Sequence, residues 1–275
     1  MKIIRQYLNG SIESKPMDFI SSVSLCILQF ILMVILNIVS SSIIGLFIGE
    51  QWTYLFSKII TNIIVIILLL KIYFKPNSDD KRSVDVNYTR SITLSCLLMI
   101  LLLTISFRLI TLVSFNPIMN YLASKSKMLH YIKEIASQTN PYLLVLEITL
   151  IGPIIEEILF RGIILNGLLK KYSPAKAILF SSLLFSLIHG NLPQMFNALF
   201  FGILLGLIYI KTKSLYAVIF THIIANTLSI ILSALEEYMP ILGNPLLLTL
   251  LGLLLLAVFI ILYRKNPLSM EGKAT

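Results

Sequence analysis

Apolar residues run in long blocks along nearly the whole chain, separated by short polar segments. The blocks cover residues 19–44, 54–74, 91–113, 142–168, 175–189, 193–210, 214–235 and 246–263. Several approach or exceed the roughly 20 residues needed to cross a hydrocarbon core about 30 Å thick. They predict eight membrane helices, with the fifth the shortest. The first block is too long for the roughly 7–15-residue apolar core of a signal peptide, so it is expected as a retained span. Punctuation supports the divisions: Pro76-Asn77-Ser78-Asp79-Asp80 breaks one connection, Asn140-Pro141 precedes the fourth block, and Gly190-Asn191-Leu192-Pro193 predicts a tight turn. Within residues 114–141, Met128 to Ile132 predicts a short amphipathic helix on the membrane surface.

Composition removes the soluble alternative. Hydrophobic residues make up 57% of the 275 and charged residues 13%, against roughly 45–50% and about 25% in soluble domains. The expected fold is all-α, a polytopic membrane helix bundle forming one membrane domain over residues 1–275. The net charge of +9 does not point to nucleic acid, because the basic residues sit in short clusters between apolar blocks, where they act as topology signals. Lys2, Arg5, Lys15, Lys71, Lys75, Lys81, Arg82, Arg90, Lys170, Lys171, Lys176, Lys211, Lys213, Arg264, Lys265 and Lys273 fall on one side if the chain starts inside. Only Lys58, Lys125, Lys127 and Lys133 fall on the other. Both termini are therefore expected to be cytoplasmic, in a multi-pass protein of the cell membrane. The two cysteines, Cys26 and Cys96, lie inside apolar blocks and suggest neither a disulfide framework nor a cysteine zinc site. Trp52 and Tyr54 read as interfacial anchors, and His130 as a solvated loop residue.

An ionisable group in the middle of a membrane helix costs at least about 2.5–3.5 kcal/mol on insertion scales. The fourth block carries three, in Glu156-Glu157-Ile158-Leu159-Phe160-Arg161. Glu157 and Arg161 are one helical turn apart and can pair, whereas Glu156 points about 100° away. One carboxylate is thus neutralised and the other is free to face a cavity and hold water, with Gly152 leaving room beside it and Pro153 weakening the local backbone bonding. His189, His222 and Asn226 follow on later blocks. At about 1.5 Å per residue, Glu156 lies roughly 18 Å from the inner end of its span, His189 roughly 20 Å, His222 roughly 12 Å and Asn226 roughly 18 Å. These groups share one layer. Arg108 and Glu147 sit nearer the outer ends of their spans and read as snorkelling or helix-end residues.

The patterns Glu-Glu-x-x-x-Arg, Phe-x-x-x-His and His-x-x-x-Asn, in this order on separate helices, resemble those of the CAAX protease and bacteriocin-processing (CPBP, or ABI) family, which includes the type II Ras-converting CAAX endopeptidases. The resemblance covers residues 141–235. It implies that Glu156 activates water with Glu157 and Arg161 in support, that His189 positions the water, and that His222 and Asn226 stabilise an oxyanion. It leaves two chemistries open: zinc held by Glu156, His189 and His222, or a metal-free glutamate mechanism, the helical His-Glu-x-x-His zinc signature being absent. The implied activity is hydrolysis of peptide bonds in membrane-associated proteins, prenylated or not, or in small secreted peptides. The implied partners are that substrate and the bilayer. The rival readings are a non-catalytic scaffold or bacteriocin-immunity protein that binds a peptide or sensor partner, and a transporter using Glu156 and the histidines as a proton relay. Oligomeric state has no signal in the sequence.

Overall fold

The computed structural model describes residue 6 and residues 12–76, 92–138, 140–238 and 244–265. Among these, the helices are α1 (Phe19–Ile44), α2 (Glu50–Tyr73), α3 (Leu94–Lys125), α4 (Lys127–Gln138), α5 (residues 141–169, with changes of helical type), α6 (Pro174–Leu187), α7 (Leu192–Thr212), α8 (Leu215–Tyr238) and α9 (Pro245–Lys265). Apart from α4, they follow the eight apolar blocks. Six of them, α1 to α3 and α7 to α9, are long and apolar enough to cross a membrane. The chain is an integral, multi-pass membrane protein, and its fold is an all-α helix bundle. In α1 and α9 only 11% of the most apolar stretch is buried inside the protein, against 44% in α7. The first two are therefore peripheral, turning side chains such as Phe30 and Leu254 outward, while α7 lies at the centre.

Two features depart from the sequence expectation, the length of the third helix and a short ribbon. The third helix continues past residue 113 to Lys125, running through Pro117; in lipid, leaving the helix would expose many more backbone groups than the one bond that proline removes. The amphipathic segment after it does form a helix, α4, with Met128 and Tyr131 exposed. A two-stranded antiparallel ribbon joins β1 (Ile12–Ser14) to β2 (Phe74–Pro76), with Glu13 opposite Lys75. Such three-residue strands are too short to show a period. The expected break after Pro76 and the basic residues Lys2, Arg5, Lys81, Arg82, Arg90 and Lys273 lie outside the described residues.

The ribbon is tied to the end of α5, the helix that carries the paired carboxylates. Glu13 pairs with Lys170 at 2.7 Å and with Lys75 at 3.1 Å, and Asp18 pairs with Lys171 at 3.2 Å. The Met17 amide donates to the Gly167 carbonyl at 2.9 Å. Asp18 also caps α1, accepting from the Ser21 amide at 2.8 Å. The Ser21 amide and hydroxyl, followed by Lys171, hold the Asp18 carboxyl down to about 2. The Lys170 ammonium likewise holds Glu13 below its ordinary value.

At the centre, α6 and α7 approach closely. The turn between them places Gly190 at φ +68°, a backbone region that residues with a Cβ rarely adopt, and Asn191 then caps α7 through the Gln194 amide at 3.1 Å. On α7, a Cβ at Gly202 would lie 3.0 Å from Ser182 Cβ and 3.2 Å from the Phe185 ring. The small residue sets the separation of the two helices.

Gly202→Leu is expected to destabilise the bundle by about 1–3 kcal/mol or more, because overpacking forces α6 and α7 apart; the readout is the thermal unfolding midpoint in detergent. A pH effect follows from the ribbon. Both carboxyls are held lower in the folded chain than in the unfolded one, so their contribution is complete above the ordinary carboxylate range and lost as pH falls toward about 2 for Asp18. Proteolysis within residues 12–18 should therefore rise on acidification through that window, and Lys171→Gln should raise the pH at which it begins.

Candidate active site

Helix α5 changes type twice. A π-helical stretch, Glu147–Ile151, leads into one α-helical segment, Gly152–Glu157, and a second π stretch, Ile158–Leu165, follows. Pro153 is a local cause: it has no N–H for the carbonyl of Thr149 four residues back or of Ile148 five back. The Ile148 carbonyl is taken instead by Asn226, whose amide nitrogen donates to it at 2.9 Å. The two glutamates thus sit on a six-residue segment between two wide turns, held laterally by α8. Such π turns recur at functional sites.

The two carboxylates divide as their spacing predicts. Glu157 is fully buried, and its Oε1 accepts from Arg161 Nη1 at 3.0 Å. Glu156 keeps 29% of its side chain accessible and faces a cavity of about 250 Å³. His189, His222 and Asn226 line the same cavity, so four polar residues from α5, the turn after α6, and α8 converge. Gly152 supplies part of the wall: a Cβ there would lie 3.8 Å from Glu156 Oε1.

One contact joins the two halves of the site and has no local sequence signal. His222 Nδ1 lies 2.7 Å from Glu157 Oε1, the same oxygen that takes Arg161. Against a carboxylate Nδ1 carries the hydrogen, and the ring presents Nε2 to the cavity, 3.8 Å from Glu156 Oε2. His189 is oriented in the same sense, its Nδ1 bonding the Phe185 carbonyl at 2.8 Å. Phe185 is the aromatic centre of the site. Its ring lies 4.8 Å from the Arg161 guanidinium carbon, 5.1 Å from the His189 ring and 5.8 Å from the His222 ring, which gives the Phe-x-x-x-His pattern a packing reason. Arg161 also donates to the Gly202 carbonyl at 2.9 Å.

Residues 138–228 match the family model described as Rce1-like, type II CAAX prenyl endopeptidase. Over 90 residues, 33% of this chain, the sequence is 33% identical to a Bacillus subtilis (strain 168) protein described as "Putative membrane peptidase YdiL". That stretch covers 37% of the relative's length, so the chain spans little more than a third of it. No solved structure matches. All six motif residues, Glu156, Glu157, Arg161, His189, His222 and Asn226, fall inside the matched Rce1-like segment.

Sequence reasoning did not place other residues at the cavity: Gln194 and Asn197 were not singled out, and Arg108 and Glu147 were read as snorkelling or helix-end residues. Gln194 and Asn197 line it from α7, Arg108 from α3 and Glu147 from α5. The two amides stand in the first turns of a helix, where polar residues are ordinary, so only the tertiary arrangement distinguishes them. Tyr54, expected as an anchor, donates to Glu147 at 2.9 Å, and Glu147 is ion-paired with Lys58. Among the described residues no group of three or more His, Cys, Asp or Glu side chains is gathered as a metal site.

The roles of the two glutamates separate in a stability measurement. Glu157→Gln leaves Arg161 buried without its counter-charge and should cost about 3–5 kcal/mol. Glu156→Gln, at the open cavity, should stay within about 1 kcal/mol of the parent. Thermal unfolding of the purified variants in detergent checks both.

Proposed function

We propose that this Rce1-like chain is an intramembrane endopeptidase that hydrolyses peptide bonds of membrane-associated substrates with a water activated by Glu156. The carrying observation is the convergence of Glu156, His189, His222 and Asn226 on one cavity, with the Glu157–Arg161 pair sealed behind it.

In this reading Glu156 takes a proton from the water as its oxygen bonds to the scissile carbonyl carbon. His189, with Nδ1 committed to the Phe185 carbonyl, offers Nε2 as acceptor for the water's other hydrogen. His222, doubly protonated against Glu157, aims Nε2–H at the developing oxyanion, and the second N–H of Asn226, the first being used by Ile148, is the other donor. Glu156 then passes its proton to the leaving nitrogen as the C–N bond breaks, so protons and charge balance without a metal. Glu157 and Arg161 act through His222: they fix its ring and supply no proton. With the basic clusters on the inner side, the catalytic layer lies nearer the cytoplasmic half of the bilayer, where the C-terminus of a lipid-anchored protein or a peptide precursor can reach it.

The test is cleavage of fluorogenic C-terminal peptides, farnesylated and plain, by the purified protein, Glu156→Ala and His222→Ala, each with and without a zinc chelator. Losses of about 10²-fold or more are expected in both variants, with the parent unaffected by chelator. Variants that cut as fast as the parent would refute the catalytic assignment, and inhibition by chelator would replace the glutamate mechanism with a zinc one.

A further inference from the structure

Among the described residues, Arg108 has no ionic partner in a cavity where the other charges do. It projects from α3 and lines the same cavity as Glu156 and His222. Its Nη2 donates to the Ser229 hydroxyl on α8, and among the described residues no carboxylate lies within ion-pair distance of it. Glu147 is taken by Lys58 and Glu157 by Arg161, and Glu156 faces His222. A guanidinium carries five N–H groups in a planar fork suited to a carboxylate, and the hydroxyl of Ser229 occupies only one nitrogen. An arginine held in this way inside a membrane protein is costly unless an anion completes it.

Its position says where that anion belongs. His222, Asn226 and Ser229 follow one another at four and three residues on one face of α8. Ser229, and with it the guanidinium, therefore stands about 10 Å further along the helix than His222. That is about three residues of extended peptide, at roughly 3.3–3.5 Å each, so Arg108 addresses a group beyond the bond that is cut. Gln194 and Asn197 line the same cavity with amides able to meet a peptide backbone.

We propose that Arg108 anchors the free C-terminal carboxylate of the substrate peptide, making the site selective for chain ends rather than for internal segments. The inference rests on the peptidase reading for its substrate class. It adds a specificity residue that lies outside residues 138–228, the segment carrying the family match.

The experiment reads binding, so that it stands apart from whether hydrolysis occurs. In a Glu156→Gln background, fluorescence anisotropy measures the affinity of a dye-labelled peptide ending in S-farnesylcysteine-Val-Leu-Ser as the free acid, as the carboxamide, and as a carboxamide with Asp in place of the final Ser. The free acid is expected to bind about tenfold more tightly than the carboxamide, the range of a charge-assisted hydrogen-bonded pair. The Asp-bearing carboxamide is expected to bind no better than the plain one. Adding Arg108→Gln should bring the acid-to-amide ratio below about twofold, while Arg108→Lys, which keeps the charge without the fork, should retain part of it. Equal affinity of acid and carboxamide with Arg108 present overturns the proposal, as does an equal loss of both in Arg108→Gln, the signature of a purely structural arginine. An Asp-bearing carboxamide that matches the free acid overturns the assignment to the chain end. If the parent cuts no peptide yet the acid preference depends on Arg108, the peptidase reading fails and the anchor survives.

Discussion

One oxygen of Glu157 holds Arg161 and His222 together, and the interior of the bundle is arranged around that junction. Glu157 and Arg161 are wholly buried, so each alone would be a severe penalty in a membrane protein, and the pair is tolerable only with its hydrogen bonds made. Those bonds reach three helices: the Gly202 carbonyl on α7 takes one guanidinium nitrogen, and His222 on α8 takes the carboxylate. The close approach of α6 at Gly202 keeps the Phe185 ring against the guanidinium. Even so, Glu157 Oε2 and Arg161 Nε lack a hydrogen-bond partner among the described residues, a cost of about 1–3 kcal/mol each. A core selected for stability alone would replace the whole pair with apolar residues.

What that cost secures is direction. A neutral imidazole has two nitrogens and can turn either way, but with Nδ1 engaged by a carboxylate the ring of His222 has one orientation and Nε2 faces the cavity. The Phe185 carbonyl does the same for His189. The turn at Gly190, with its positive φ, stands next to His189 and fixes the exit of the chain from α6, so the second histidine is positioned by backbone geometry where the first is positioned by charge. Of the two adjacent carboxylates beside this pre-oriented pair, Glu156 alone keeps part of its side chain accessible and can exchange with water.

The overall plan was legible in the sequence because lipid imposes it. A helix that faces hydrocarbon must be apolar for about 20 residues, so the blocks announce themselves, and any charge within them stands out against that background. The pairing of Glu157 with Arg161 is a matter of one helical turn and could be read locally. The bond from Glu157 to His222 could not, since 65 residues separate the partners and no periodicity links them. The π stretches of α5 were equally hidden: Pro153 signalled weakened bonding, but whether a helix answers by breaking, kinking or widening depends on whether a neighbour can take the freed carbonyl, as Asn226 does for Ile148. Gln194 and Asn197 were passed over, and Arg108 was read as a snorkelling or helix-end residue, for a related reason. Near the end of a span a polar residue has an ordinary explanation, and only the packing of α3 and α7 against α8 turns these ends toward the cavity.

The charges of the cavity support a division between chemistry and selection. Glu157 with Arg161 and Glu147 with Lys58 balance to zero. A site composed only of such pairs would have no preference for the charge of what it binds. Arg108 adds a positive charge that no carboxylate among the described residues pairs with, at a distance along α8 from His222. In a medium that screens charge poorly, one unpaired guanidinium outweighs many apolar contacts in deciding which end of a peptide settles where. On the proposed reading, the motif helices α5, α6 and α8 would carry the reaction, and α3, which comes before them in the chain, would carry the means of choosing its register.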